Sequence, residues 1–220
     1  MSLPDWLVEV IPADTAAAWE TIAPVVPVGA YLAGGTAIAV HLRHRLSRDL
    51  DFFLPAPVDL DALAEALGEL GPLHISKFDP SPGAQTLNGT FSATKVQFLE
   101  ASTLRMVEPT TRVEGLDVAG LGDLLAMKLK VITDRGELRD YFDLLVIDRD
   151  SPRHIEEGLA LFGVKYPVRA PDESVAAIVR GLGYLDDVED DPLVPIPRAE
   201  IEAYWATRLP EIVRHLSRTQ

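Results

Sequence analysis

The sequence predicts a mixed α/β (α+β) fold, a β-sheet with flanking helices over residues 1–116 followed by a helical C-terminal half over residues 117–220. Three observations predict it. Between Leu73 and Gly115, short β-type runs are separated by turn-forming Pro, Gly, Ser and Asn. From Val118 onward, apolar residues recur at helical spacing instead. A chain of 220 residues with 47% hydrophobic and 25% charged residues can bury a proper core, which excludes disordered and fibrous classes.

The elements follow in order. Asp14 to Ile22 is alanine-rich, carries Trp19 and Ile22 at helical spacing, and reads as an opening helix closed by Pro24. Val28 to Ala33 reads as a strand that Gly34-Gly35-Thr36 breaks; Ile38 and Leu42 then give one apolar face to a short helix with Arg43 and Arg45 near its end. Asp49 to Leu54 is the next strand, stopped by Pro55. Asp59 to Leu70 is a periodic helix with Leu60, Leu63, Leu67 and Leu70 on one stripe. Strands are expected at His74 to Phe78, Thr86 to Phe91, Lys95 to Glu100 and Thr110 to Val113. Helices are expected at Leu121 to Asp134, Leu138 to Ile147 and His154 to Phe162, the last opened by Ser151-Pro152. A loop rich in Pro and acid, Gly183 to Pro197, precedes a helical region from Ala199 to Ser217 that Pro210 is expected to kink or divide.

Composition narrows the function classes. With no cysteine, there is no disulfide framework, thiol nucleophile or cysteine-ligated metal. The N-terminus lacks a basic stretch and apolar core, and charges interrupt every apolar run, so the expectation is a soluble cytoplasmic protein with no membrane partner. Twenty basic residues against 34 acidic ones give a net charge of −14, which argues against sequence-blind coating of a duplex. Local patches remain, the densest being His41 to Arg48, directly before a pair of aspartates.

That pair is Asp49-x-Asp51. Side chains alternate along a strand, so both carboxylates emerge on one face, where a divalent cation relieves their repulsion. Sites with few protein oxygens suit Mg2+ bound alongside substrate phosphates. Gly34, Gly35 and Thr36 let the backbone approach a phosphate, and the following helix offers N–H donors and the positive end of its dipole. Together these parts make a nucleoside-triphosphate site. Taken singly, a Gly-Gly pair is usually only a turn and Asp-x-Asp is common on solvent-facing strands. No Walker loop and no dinucleotide fingerprint is present.

Leu32-Ala33-Gly34-Gly35-Thr36, followed by His44-Arg45-x-Ser47-x-Asp49-Leu50-Asp51-Phe52-Phe53, resembles the first motif of the AbiEii/AbiGii-type nucleotidyltransferase toxins, within the DNA polymerase β-like nucleotidyltransferase superfamily. Lys128 and Arg139-Asp140-Tyr141-Phe142-Asp143-Leu144 resemble that family's downstream lysine and aspartate motifs. The resemblance implies a nucleotidyltransferase-type mixed sheet and an abortive-infection or toxin–antitoxin enzyme using Mg2+ or Mn2+. Such an enzyme transfers a nucleotide from a nucleoside triphosphate to an acceptor, an RNA such as a tRNA 3′ end or a protein, and has an antitoxin partner. In this chain Asp49 and Asp51 would hold the metal, with Lys128 and Asp140 also catalytic; Gly34, Gly35, Thr36, Arg45 and Ser47 would bind the triphosphate.

Spacing adds to this. Leu121, Leu125, Lys128 and Ile132 fall on one helical stripe, so Lys128 faces inward while Asp123 and Lys130 are expected to point elsewhere. Lys128 then needs a partner or a phosphate, unless its stem snorkels and the ammonium reaches solvent. Asp140 and Asp143 lie one turn apart, either orienting Lys128 or the acceptor, or forming a solvated acidic turn. The third carboxylate usual in the superfamily is replaced: Gln97 stands at its expected place on the strand around Thr94 to Leu99. An amide accepts hydrogen bonds but takes no proton at neutral pH. Glu100, three residues on, points to the other face. This leaves an alternative function, a catalytically impaired nucleotide- or partner-binding module on the same fold.

Overall fold

The computed structural model describes residues 3–167 and 171–219. It comprises two compact units, Met1–Gly120 and Leu121–Gln220.

In the first unit, α1 (Asp5–Val8) and α2 (Ala13–Ile22) precede β1 (Tyr31–Ala33), α3 (Gly34–Leu42), β2 (Leu50–Leu54) and α4 (Leu60–Leu70). Then come β3 (Leu73–Asp79), β4 (Thr86–Phe91), β5 (Thr94–Glu100), β6 (Thr111–Val113) and β7 (Leu116–Val118). The strands form one mixed sheet in the order β3-β4-β5-β2-β1-β7-β6. β2 runs antiparallel to β1 and parallel to β5, and β1 runs parallel to β7.

Strand alternation separates the two faces. Leu50, Phe52 and Leu54 of β2 are buried, as are Val96 and Phe98 of β5. Phe52 stacks on Phe98 with ring centroids 4.8 Å apart, which clamps the central pair. Asp51, Phe53, Gln97 and Leu99 point the other way and are only half-buried. Trp19 of α2 is fully buried, and its Nε1 donates to the Glu114 carbonyl at 2.9 Å, so α2 is tied to the β6–β7 turn.

Several sequence expectations shift here. β1 begins at Tyr31 rather than Val28, because Gly29 has φ +85° and Val28 is fully exposed. β7 was missed: Glu114 and Gly115, at φ 41° and 86°, make a tight turn that returns the chain from β6. It straddles the boundary expected after residue 116 and belongs to the sheet. α3 ends at Leu42, with Arg43 in the left-handed region at φ 51°, so Arg45 lies beyond the helix. In α4, Asp59 caps the start by accepting from the Ala62 N–H at 2.9 Å, and Leu60, Leu63 and Leu67 are buried. Leu70, at the helix end, is exposed.

The second unit is helical: α5 (Leu121–Arg135), α6 (Leu138–Asp150), α7 (Ile155–Lys165), α8 (Pro171–Leu182) and α9 (Arg198–Thr219). α6 is its central helix, with every residue from Asp140 to Asp148 buried. Gly158 of α7 lies against α5, where a Cβ would stand 2.5 Å from Leu125 Cγ, so the glycine permits the close crossing. α7 opens at Ile155 with His154 as its N-cap, and Ser151-Pro152 belongs to the preceding bend. α8 was not foreseen. Pro210 does not divide α9, which continues through it. No described helix is long and apolar enough to cross a membrane.

Candidate nucleotide site

Both aspartates of the first motif lie where β2 begins, beside the first turn of α3. Asp51 pairs in register with Ala33, the residue before the helix, and on its other side with Gln97 of β5. Gly34 takes φ +70°, and a Cβ added there would stand 2.6 Å from Asp51 Oδ2. One added at Gly35 would stand 2.5 Å from Arg45 Nη2 and 3.2 Å from Ser47 Oγ. The Asp51 carboxylate and the Arg45 guanidinium therefore lie against consecutive glycines, and at Gly34 the positive φ also disfavours a side chain. α3 starts with Ala33 as its N-cap and no side-chain cap, so its first N–H groups are the natural anion donors of this end of the sheet.

Three residues expected to meet the triphosphate are turned inward. Thr36 is 1% exposed; its hydroxyl donates to the Asp49 carbonyl at 2.5 Å and shares a hydrogen bond with the Ser47 hydroxyl at 2.9 Å. Ser47 is buried and its N–H donates to the Val10 carbonyl at 2.9 Å. Arg45 is also buried, with Nη1 donating to the Leu46 carbonyl at 3.0 Å. These side chains brace the loop that delivers Asp49. The basic run is otherwise spread out: Arg43 stacks over Trp6 with 5.0 Å to the ring centroid, and Arg48 is exposed.

Asp49 is half-buried, and among the described residues none donates a hydrogen bond to its carboxylate. Gln97, across β5 from Asp51, donates through Nε2 to Asn88 Oδ1 of β4 at 2.8 Å. Glu100 is no substitute for a third carboxylate: it accepts from the N–H groups of Gly83 at 2.7 Å and Gln85 at 3.3 Å and from the Ser102 hydroxyl. The Ser102 bond leads in holding its carboxyl below the usual range. Among the described residues, no group of three or more His, Cys, Asp or Glu side chains could hold a metal. The donor set of Asp49, Asp51 and an amide oxygen is hard and incomplete, which fits a cation that takes its remaining ligands from phosphates and water.

The downstream motif lies in the helical unit. Lys128 is buried, and its ammonium contacts Asp140 and, at 2.9 Å, Asp143. Burial pulls the Lys128 pKa down, but the carboxylates of Asp143 and Asp140 outweigh it and the balance is raised. Asp140 also accepts from the Glu137 N–H at 2.9 Å, closing a capping box at the start of α6. Both of its oxygens are thus committed within the unit, and Asp140 and Asp143 do not form a solvated turn.

Asp123, expected to point away from the core, is fully buried and paired with the equally buried Lys165 at 2.6 Å. No local signal could have found this pair, since its members stand 42 positions apart. Lys130 does point outward, to Asp134. A cavity of about 610 Å³ in this unit is lined by Tyr141, Asp134, Asp187, Glu189 and Asp191, among others. Its acidic lining repels a triphosphate, so size alone does not make it the nucleotide site.

The model of the family described as "Nucleotidyl transferase AbiEii toxin, Type IV TA system" matches residues 28–218. An uncharacterized protein of Aquifex aeolicus (strain VF5) is 30% identical over 196 residues, covering 84% of this chain and 87% of its own. Two crystal structures from Helicobacter pylori are similar in fold. One, assigned as a nucleotidyltransferase, has a TM-score of 0.55 at 19% identity over 94% of this chain and 95% of its own. The other, JHP933, has a TM-score of 0.54 at 20% identity over 99% and 96%.

Proposed function

Since the chain belongs to the AbiEii family of nucleotidyltransferase toxins, we propose that it binds a nucleoside triphosphate and a divalent cation, Mg2+ or Mn2+, at the Asp49–Asp51 end of the sheet and transfers the nucleotide to an RNA 3′ end. The family is that of a toxin–antitoxin system, which implies an antitoxin. The observation that carries the reading is the seating of the Asp51 carboxylate against Gly34, in register with Gln97. The Asp51 carboxylate and the first N–H groups of α3 thereby lie at one end of the sheet, which supports the reading.

Asp49 and Asp51 would hold the cation, which when bound supplies positive charge to the phosphate oxygens. The N–H groups of Gly34, Gly35 and Thr36 orient the triphosphate, and the buried Thr36, Ser47 and Arg45 keep that turn and the Asp49 loop in place. The acceptor hydroxyl forms a bond to the α-phosphorus, the bond to the bridging oxygen breaks, and pyrophosphate leaves. The hydroxyl proton passes to solvent, since Gln97 takes none. Catalysis of this kind is mostly positioning and charge stabilisation. An ammonium has three N–H donors; two of those of Lys128 go to Asp140 and Asp143, which orient the lysine within the helical unit.

The test is incubation with Mg2+, each labelled nucleoside triphosphate in turn, and bulk cellular RNA. Label on RNA 3′ ends is the expected result. Label on protein alone would redirect the acceptor, and no label with any triphosphate would favour the binding-module alternative that Gln97 motivates.

A further inference from the structure

Two peptide groups flank Asp49, and each is held by a buried threonine. The Thr36 hydroxyl donates to the carbonyl of Asp49 itself at 2.5 Å, and the Thr15 hydroxyl donates to the carbonyl of Arg48 at 3.0 Å. Both threonines are 1% exposed. A peptide group is planar, so a residue turns only about the two main-chain bonds that join its neighbouring planes. With the plane before Asp49 pinned by Thr15 and the plane after it pinned by Thr36, the direction of its Cα–Cβ bond is set. The half-buried carboxylate has no hydrogen-bond donor among the described residues, so its aim comes from the main chain.

The two hydroxyls come from different parts of the chain. Thr36 lies on α3, inside the first motif, whereas Thr15 lies on α2, outside the residues 28–218 that the family model matches. Further contacts from the same segment follow the loop. Trp6 carries the Arg43 guanidinium over its ring, and the Val10 carbonyl accepts from the Ser47 N–H at 2.9 Å. Between Arg43 and Asp49 the chain forms neither helix nor strand, so these contacts do the holding that a ladder of main-chain bonds would do elsewhere. Thr15 is itself placed by its helix. Trp19, one turn on and on the same face, is fully buried and bonded to the Glu114 carbonyl at 2.9 Å. α2 is thus fastened to the β6–β7 turn at one residue and to the Asp49 loop at another.

Resting on the proposed nucleotide site, we infer that Thr15 is a positioning residue that aims the Asp49 carboxylate at the cation through its hydrogen bond to the Arg48 carbonyl, so that the segment ahead of the family motif takes part in holding the metal. Removing the hydroxyl frees the peptide before Asp49 and leaves the carboxylate and the α3 N–H groups present. The loss falls on the cation and the rate, not on the triphosphate.

The experiment compares the full chain with three variants. Thr15→Val keeps the shape and removes the donor, Thr15→Ser keeps the donor, and Trp19→Phe removes a hydrogen bond from the same helix away from the loop. Mn2+ binding is read as loss of the free-ion electron paramagnetic resonance signal with a non-hydrolysable α,β-methylene triphosphate present, and transfer to bulk RNA and melting temperatures are read alongside. Thr15→Val is expected to bind Mn2+ about tenfold more weakly and to lower kcat by about tenfold, with KM for the triphosphate at saturating Mg2+ unchanged within about twofold. Thr15→Ser should return Mn2+ affinity and kcat to those of the natural protein, and Trp19→Phe should change neither, whatever its melting temperature. Natural Mn2+ affinity in Thr15→Val, a loss that Thr15→Ser does not rescue, or an equal loss in Trp19→Phe overturns the positioning role and leaves the nucleotide site standing. A natural protein that binds Mn2+ and transfers nothing overturns the transfer reading, and Mn2+ affinity alone then decides the role of Thr15. A natural protein that binds no Mn2+ beside the analogue overturns the site and the inference together.

Discussion

Two acidic clusters in this chain put the same side chain to opposite uses. At the edge of β2, Asp49 has no protein donor among the described residues, and Asp51 lies against a glycine beside a neutral amide. In the helical unit, Asp140 and Asp143 close on the buried Lys128, and Asp123 on the buried Lys165. The first arrangement leaves the Asp49 carboxylate without a hydrogen-bond donor among the described residues. The second balances its charge internally, at a desolvation cost that is offset only while both partners are present. An acidic residue in a sequence motif is therefore not a metal ligand by its motif alone; the cation nearest to it decides.

The sharpest test of this contrast is to remove one charge from each cluster. On the proposed reading, Asp49→Asn should lower nucleotide transfer by about a thousandfold, since an ion-holding oxygen contributes several kcal/mol to the transition state, while the urea unfolding midpoint stays close to that of the natural protein. Lys128→Met should do the reverse to the fold. It leaves two buried carboxylates unbalanced and should cost about 3–5 kcal/mol in urea unfolding. A Lys128→Met protein of unchanged stability would break the comparison.

pH separates the clusters further. The Lys128 pKa is raised from 10.5: burial lowers it, but Asp143 and Asp140 more than compensate. Tyr141 is pushed up to about 12, first by burial and then by Asp187 and Asp140. Both groups hold their protons more tightly when folded. Their contribution is complete below the unfolded values of 10.0 for Tyr141 and 10.5 for Lys128 and is lost as pH rises through the folded values. Urea midpoints should hold to about pH 10 and then fall towards pH 12, and the fall should shrink in Lys128→Met.

Smaller effects sharpen the picture. Gly34→Ala meets both a φ of +70° and Asp51 Oδ2 at 2.6 Å, so it should cost about 1–2 kcal/mol and lower transfer by displacing the carboxylate. Lys130→Ala removes an exposed pair on the same helix as Lys128 and should change stability by less than about 1 kcal/mol, measured in the same urea series.

Much of the fold was legible because its signals are local. Leu60, Leu63 and Leu67 mark α4, the alternation around Phe52 and Phe98 marks β2 and β5, and Gly34-Gly35 marks the entry to α3. Asp49 and Asp51 stood out by their spacing, and Asp51 pairs in register with Gln97. β7 was not legible, since three residues carry too little pattern. α8 was not, and Val28 looked like strand until Gly29 turned the chain.

The sequence by itself determined which residues could line a nucleotide site, because side-chain period and residue chemistry are properties of the chain. Only the tertiary structure decided how each is used. Thr36, Ser47 and Arg45 face inward because the loop between α3 and β2 folds back on the helix start, and Asp123 is buried because Lys165 arrives from 42 positions away. Gln97 meets Asn88 because β4 pairs with β5 in that register. In each case the partner lies on another element, and a carboxylate or hydroxyl changes from ligand to brace according to what packing brings within hydrogen-bond reach.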